Sequence, residues 1–158
     1  MVEVSKDDSG SRDQHQGEEL PVRDWWSGAD PDLQLLVGLV NKLEFELPMR
    51  IFIPSGVLSG YLIAMPAYFS RVAGVLHGNS DDGSNPVADA LAKSYDSISE
   101  ARRKNIESNE PDDDVRHIHL DQAVLHGTGA EPLQVGLWRG RLSNVSGWSM
   151  GNYGDQVE

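Results

Sequence analysis

Leu133-Gln-Val-Gly-Leu-Trp-Arg-Gly-Arg-Leu-Ser-Asn-Val-Ser-Gly-Trp-Ser-Met-Gly151 is the stretch that decides the fold class. Leu133, Val135 and Leu137 alternate with Gln134, Gly136 and Trp138. That is the period of a β-strand, and it resumes after Arg139-Gly140, so the stretch reads as a pair of short strands. Glycine weakens an ordinary strand, so Gly136, Gly140, Gly147 and Gly151 mark bends, bulges or close backbone approaches. Gly140 in particular is expected at a bend. Trp138 and Trp148 read as neighbours on adjacent strands, paired across one face. The expectation is a small, strongly curved sheet with no catalytic group embedded in it.

Upstream, His117 to His126 reads as a third strand, followed by the glycine-rich turn from Gly127 to Pro132. His117, His119 and Asp121 fall on one face of that strand, which raises the question of a metal site. Neighbouring ligands from one strand are too few to close a coordination shell, and the face is expected to be solvated surface. Further back, Asn85-Pro86 sets a helix start, and Val87, Ala90, Leu91, Ser94, Tyr95, Ile98 and Ala101 form its apolar stripe. Arg102-Arg103-Lys104 close that helix, where cations suit the negative end of its dipole. The acidic run from Asn109 to Asp114 follows as a loop. Pro66 opens a shorter helix bearing Tyr68, Phe69, Val72, Ala73 and Leu76, with a flexible link from His77 to Asn85.

At the front of the chain Asp30-Pro31 is another cap and first-turn proline. Leu33, Leu36, Val37 and Val40 recur at helical spacing up to Lys42. The period changes at Leu43. Phe45, Leu47, Met49, Ile51 and Ile53 alternate with polar or bulky neighbours up to the turn Pro54-Ser55-Gly56. Pro48 lacks a donor, so it is expected at an edge or bulge. Val57 to Ala64 returns as the second strand, and Gly60 is a further bend candidate.

Composition narrows the function. In 158 residues, 25 acidic against 13 basic side chains give a net charge of -12. Such a chain repels phosphate backbones at long range, so nucleic acid is a disfavoured partner. There is no cysteine, which removes thiolate chemistry and disulfides. Apolar runs such as Leu35 to Val40 are far shorter than the ~20 residues of a membrane span, and no basic-then-apolar leader opens the chain. A soluble cytoplasmic protein is expected. No Gly-x-Ser-x-Gly elbow and no phosphate loop occurs. The chain therefore reads as a non-enzyme, without cofactor or metal. Residues 1–28 form an acidic tail expected to be disordered, residues 29–153 a single α+β domain with a helical insertion over 66–115, and residues 154–158 a second disordered tail. Trp25 and Trp26, where the tail meets the domain, join Trp138, Arg139, Gly140 and Trp148 as the candidate interaction residues.

The expected architecture is α+β: a small bent antiparallel sheet of about five strands, an N-terminal helix, and two helices between strands 2 and 3. In order it is similar to an Sm-like barrel, whose second motif is matched by Leu137 or Trp138, Arg139-Gly140, Leu142 and Val145. The loop that holds a base in that family is replaced here by residues 66–115. Residues 43–76 and 116–151 resemble the gas vesicle accessory protein family GvpU more closely. The resemblance is carried by His117-Ile-His-Leu120 and by Trp138-Arg-Gly-Arg-Leu-x-x-Val-x-Gly-Trp-x-x-Gly151. It implies a non-enzymatic cytoplasmic accessory, associated with gas vesicles, that self-associates as a homo-oligomer or condensate and clusters the vesicles. Gas vesicle shell proteins or other accessory proteins are the implied partners. The alternative is an Sm-like oligomeric scaffold or nucleic-acid-binding module.

Overall fold

Asp30 begins the structure as the sequence suggests. In the computed structural model, which describes residues 28–78, 85–107, 115–127 and 131–151, its Oδ1 accepts from the backbone N–H groups of Asp32 and Leu33 at 2.9 and 3.0 Å. Helix α1 (Pro31–Leu43) follows. Leu33, Val37 and Val40 are fully buried on one side, and the helix stops at Glu44, whose φ of 50° is left-handed. Strands β1 (Leu47–Ile53) and β2 (Gly56–Leu62) form the expected hairpin, with Ile53 opposite Gly56. Pro48 lies one residue beyond the β5 ladder that begins at Met49. Its carbonyl accepts from Gly151 N–H at 2.8 Å, so the missing donor falls at a strand end.

The insertion between β2 and β3 is a helical hairpin, α2 (Met65–Gly78) and α3 (Pro86–Glu107). A side chain of α1 starts α2: Asn41 Oδ1 accepts from Met65 N–H at 2.8 Å. Asn85 caps α3 through Ala88 N–H. The buried Ser99 hydroxyl donates to the Pro66 carbonyl at 2.9 Å and ties the two helices together. Both helices outrun their expected ends. His77 and Gly78 continue α2 because His77 sits between Asp89 and Asp96 of α3. The tripeptide Arg102-Arg103-Lys104 reaches the last turn of α3 at Lys104, and the helix runs on to Glu107.

Strands β3 (His117–His126), β4 (Leu133–Arg141) and β5 (Gly147–Met150) complete an antiparallel sheet in the order β4-β3-β2-β1-β5. The break expected after Arg139-Gly140 is absent, and β4 runs through it. The interruption falls at the 3-10 turn η1 (Leu142–Asn144). This corrects the reading of Trp138 and Trp148 as cross-strand neighbours. They stand opposite Leu120 and Ile51 respectively, on the two edge strands of the sheet.

Curvature follows from connectivity. Only residues 142–146 carry the chain from one edge strand to the other. Flat strands ~4.8 Å apart would separate those edges by ~19 Å, more than a short segment with a 3-10 turn, rising ~2 Å per residue, spans. The segment is also anchored on both sides: Leu142 N–H donates to Arg116 O at 3.0 Å and Ser146 N–H to Phe52 O at 2.8 Å. No ladder joins β4 to β5 among the described residues, so the sheet is curled but open where a barrel would be closed. A bulge in β3 sharpens the bend. Between Leu120 and Val124 the register slips against both β2 and β4, and Gln122 takes a φ of 50°. The inner face, with Met49, Ile51, Leu58, Leu62, Ile118, Leu120, Ala123 and Leu142, packs against α1 to form the core.

Candidate functional site

On the outer face of the sheet, period-2 alternation brings four side chains of one chemical kind together. His117 stands opposite Arg141 and His119 opposite Arg139, while Ile118, Leu120 and Trp138 point to the core. Helix α2 covers part of this outer face. His119 is only 1% exposed, with the Tyr68 and Phe69 rings 4.8 and 6.1 Å away between centroids. The expectation that His117, His119 and Asp121 form a solvated face is thus wrong at its centre, because the helical insertion folds back over it. Asp121 forms an ion pair with Arg71, which also binds Glu46. Among the described residues no group of three His, Cys, Asp or Glu side chains is placed to hold a metal.

Neither ring nitrogen of His119 has a hydrogen-bond partner among the described residues. Burial, then the nearby Arg139 and His117, pushes its pKa from 6.5 down to about 3. The folded state therefore holds a neutral imidazole, whereas the unfolded chain takes up a proton below pH 6.5. Stability from this group is complete above that pH and falls as the pH drops toward 3. By about pH 5 the loss is expected to reach ~2 kcal/mol. Urea titrations of the wild type and His119→Leu between pH 7 and 5 measure it, and parallel pH slopes for the two proteins would refute the assignment.

The cationic face opens into a cavity of about 220 Å³, lined by Asn41, Met65, Arg102, Val115, Arg116, His117, His119 and Arg139. A neighbouring hollow of about 420 Å³ shares Arg116 and His117 and adds Arg141. Of the candidate interaction residues named from the sequence, Arg139 belongs to this site and is exposed, beside His117 and His119 of the face weighed as a metal site. Arg102 was legible only as a dipole complement. Its partner in that tripeptide, Arg103, turns away and donates to Glu44 at 3.0 Å.

The tryptophans have other surroundings. The Trp138 indole lies over Gly140: a Cβ there would come within 2.9 Å of its Cζ3 and closer still to Cζ2 and Cη2. Gly140 has no positive φ, and the left-handed glycine of β4 is Gly136, at φ 76°. The expected backbone bend at Gly140 is therefore replaced by a side-chain reason for glycine. Trp148 is half-buried against the core, and its Nε1–H donates to Oδ2 of Asp30 at 3.4 Å. Trp25 and Trp26 lie outside the described residues.

Fold and site together define an α+β protein whose distinctive features are surfaces: a cationic cavity, two open sheet edges, and an exposed apolar line on α1. A family model described as gas vesicle protein GvpU-like matches residues 30–153. The chain belongs to that family and is a gas vesicle-associated protein. No curated protein and no solved structure matches it.

Proposed function

We propose that the chain is a non-enzymatic, cytoplasmic gas vesicle accessory that self-associates and gathers vesicles, contacting shell proteins or other accessory proteins. The observation that carries the association reading is the outer side of α1. Leu35, Leu39 and Leu43, spaced by four residues, are 65%, 42% and 64% exposed, which sets three leucines in one line along the helix. Phe45, two residues past the helix end, is exposed as well. An apolar stripe beside open strand edges favours short-range association, while a net charge of -12 opposes approach from a distance. The same charge weighs against the Sm-like nucleic-acid module, which would need a broad basic surface and a steep salt dependence.

Salt dependence separates the readings. Repulsion reaches ~30 Å at low ionic strength and ~8 Å at physiological salt, so raising salt should promote association. Light scattering of the full chain against salt should rise for the wild type and stay flat for Leu35→Glu combined with Leu43→Glu. The same titration of Trp25→Ala with Trp26→Ala reports whether the junction tryptophans take part. A wild type that remains monomeric at micromolar concentration throughout would sink the clustering role.

A further inference from the structure

The outer-face cavity has a composition that clustering does not use. Three arginines, Arg102, Arg116 and Arg139, and two histidines line it together with Asn41, Met65 and Val115, and no acidic residue is among those lining residues. This occurs in a chain with about twice as many acidic as basic side chains. The groups come from separate elements: α3 supplies Arg102, the approach to β3 supplies Arg116, and β4 supplies Arg139. Arg102 and Arg139 bring two of these positive charges to the one cavity, where like charges repel and an anion between them is favoured. At the floor is His119, a buried neutral imidazole with one N–H to donate and one lone pair, both unanswered among the described residues. A buried polar group left in that condition is destabilising.

The helix geometry adds to the field. Met65, the first residue of α2, lines the cavity, so the positive end of a 14-residue helix borders it. Asn41 accepts the Met65 N–H through Oδ1, which leaves its amide group as a donor. Besides the apolar Met65 and Val115, each lining side chain carries a donor group. The volume of about 220 Å³ compares with ~30 Å³ for one water. It accommodates one small oxyanion with some of its hydration.

We infer that this cavity is a binding site for one phosphate group, free or as a monoester, held by the Arg102 and Arg139 guanidinium groups, with the buried His119 ring beneath it as a reporter. Guanidinium forks match the oxygens of a tetrahedral anion, and a dianion balances converging cations better than a single carboxylate does. The site is independent of the α1 stripe and of the clustering role.

The test is a titration of the full chain with inorganic phosphate, at ionic strength held constant with chloride, followed by ¹⁵N spectra of the histidine rings. Parallel arms use glycerol phosphate and acetate. The expected result is a saturable shift of the His119 ring signals with phosphate, and a higher Tm in its presence. Saturation by inorganic phosphate alone identifies the free ion, and saturation by both phosphates identifies a site open to esters. Arg102→Gln with Arg139→Gln, both at exposed positions, should weaken binding at least tenfold while leaving the far-ultraviolet spectrum intact. Arg103→Gln, outside the cavity, should bind as the wild type does. Shifts that grow linearly, that acetate reproduces equally, or that persist in the double variant would overturn the site.

Discussion

Gly140→Ala is expected to destabilise the protein by about 3 kcal/mol, a large response to one methyl group on an edge strand. The new Cβ falls where the six-membered ring of Trp138 lies. The alanine backbone itself is unstrained, since Gly140 has no positive φ. The ring must therefore leave its place against the core cluster, and the loss is the packing of a large aromatic side chain. A double-mutant cycle isolates the cause. In a Trp138→Ala background the same Gly140→Ala change should be nearly neutral, giving a coupling of ~2 kcal/mol or more. Equal effects of Gly140→Ala in both backgrounds, measured by urea unfolding, would show that the backbone sets the requirement.

Gly60→Ala should be as damaging for a different reason. A Cβ at this buried position would lie 2.8 Å from the Asp121 carbonyl oxygen and 3.2 Å from Ala123 Cα. Both obstacles are backbone atoms of the β3 bulge, and neither turns aside as a side chain does. The bulge exists because Gln122 adds a residue to β3 between the pairs Tyr61–Asp121 and Ser59–Val124. Filling the space opposite it pushes β3 away from β2 and should reduce stability by ~3 kcal/mol. Trp138 should keep its native fluorescence in Gly140→Ala less well than in Gly60→Ala, because only the first displaces the ring directly. A Gly60→Ala protein as stable as the wild type would remove the close-approach argument.

These two glycines show how far the sequence can be read. Capping and periodicity identify α1, the β1–β2 hairpin, the paired helices and the bounds of β3, since each is a local pattern that burial then respects. The order of elements along the chain follows from the same reading, whereas the closed Sm-like barrel expected from it is an open sheet. What periodicity does not carry is which strand meets which across a hundred residues, so Trp138 and Trp148 look adjacent in sequence and stand on opposite edges. Nor does it show that α2 lies over His119. The alternation marked His117, His119 and Asp121 as sharing a face, but the identity of the cover was set by Tyr68 and Phe69, some fifty residues upstream. Arg102 was obscured because a basic tripeptide is a sufficient helix ending, and only Asn105 and Ile106 hint that the helix continues. The α1 leucines outside the core were visible as a second apolar line on a helix already given one face.

The ladder between β1 and β5 has a consequence for how the chain acquires its structure. Met49 and Met150 are partners, about a hundred residues apart in the chain, whereas β1–β2, α2–α3 and β3–β4 join neighbours. Contacts between distant segments bear a larger closure entropy and form late. The last strand therefore docks onto a hairpin already made, and its arrival also brings Trp148 to Asp30 at the head of α1. Until then one side of β1 is an unpaired edge carrying the backbone hydrogen-bonding groups of Arg50 and the carbonyls of Pro48 and Phe52. Such an edge accepts a strand from another molecule as readily as its own. During synthesis and refolding, the vulnerable interval is the wait for β5, and its outcome is governed by protein concentration against the rate of intramolecular closure.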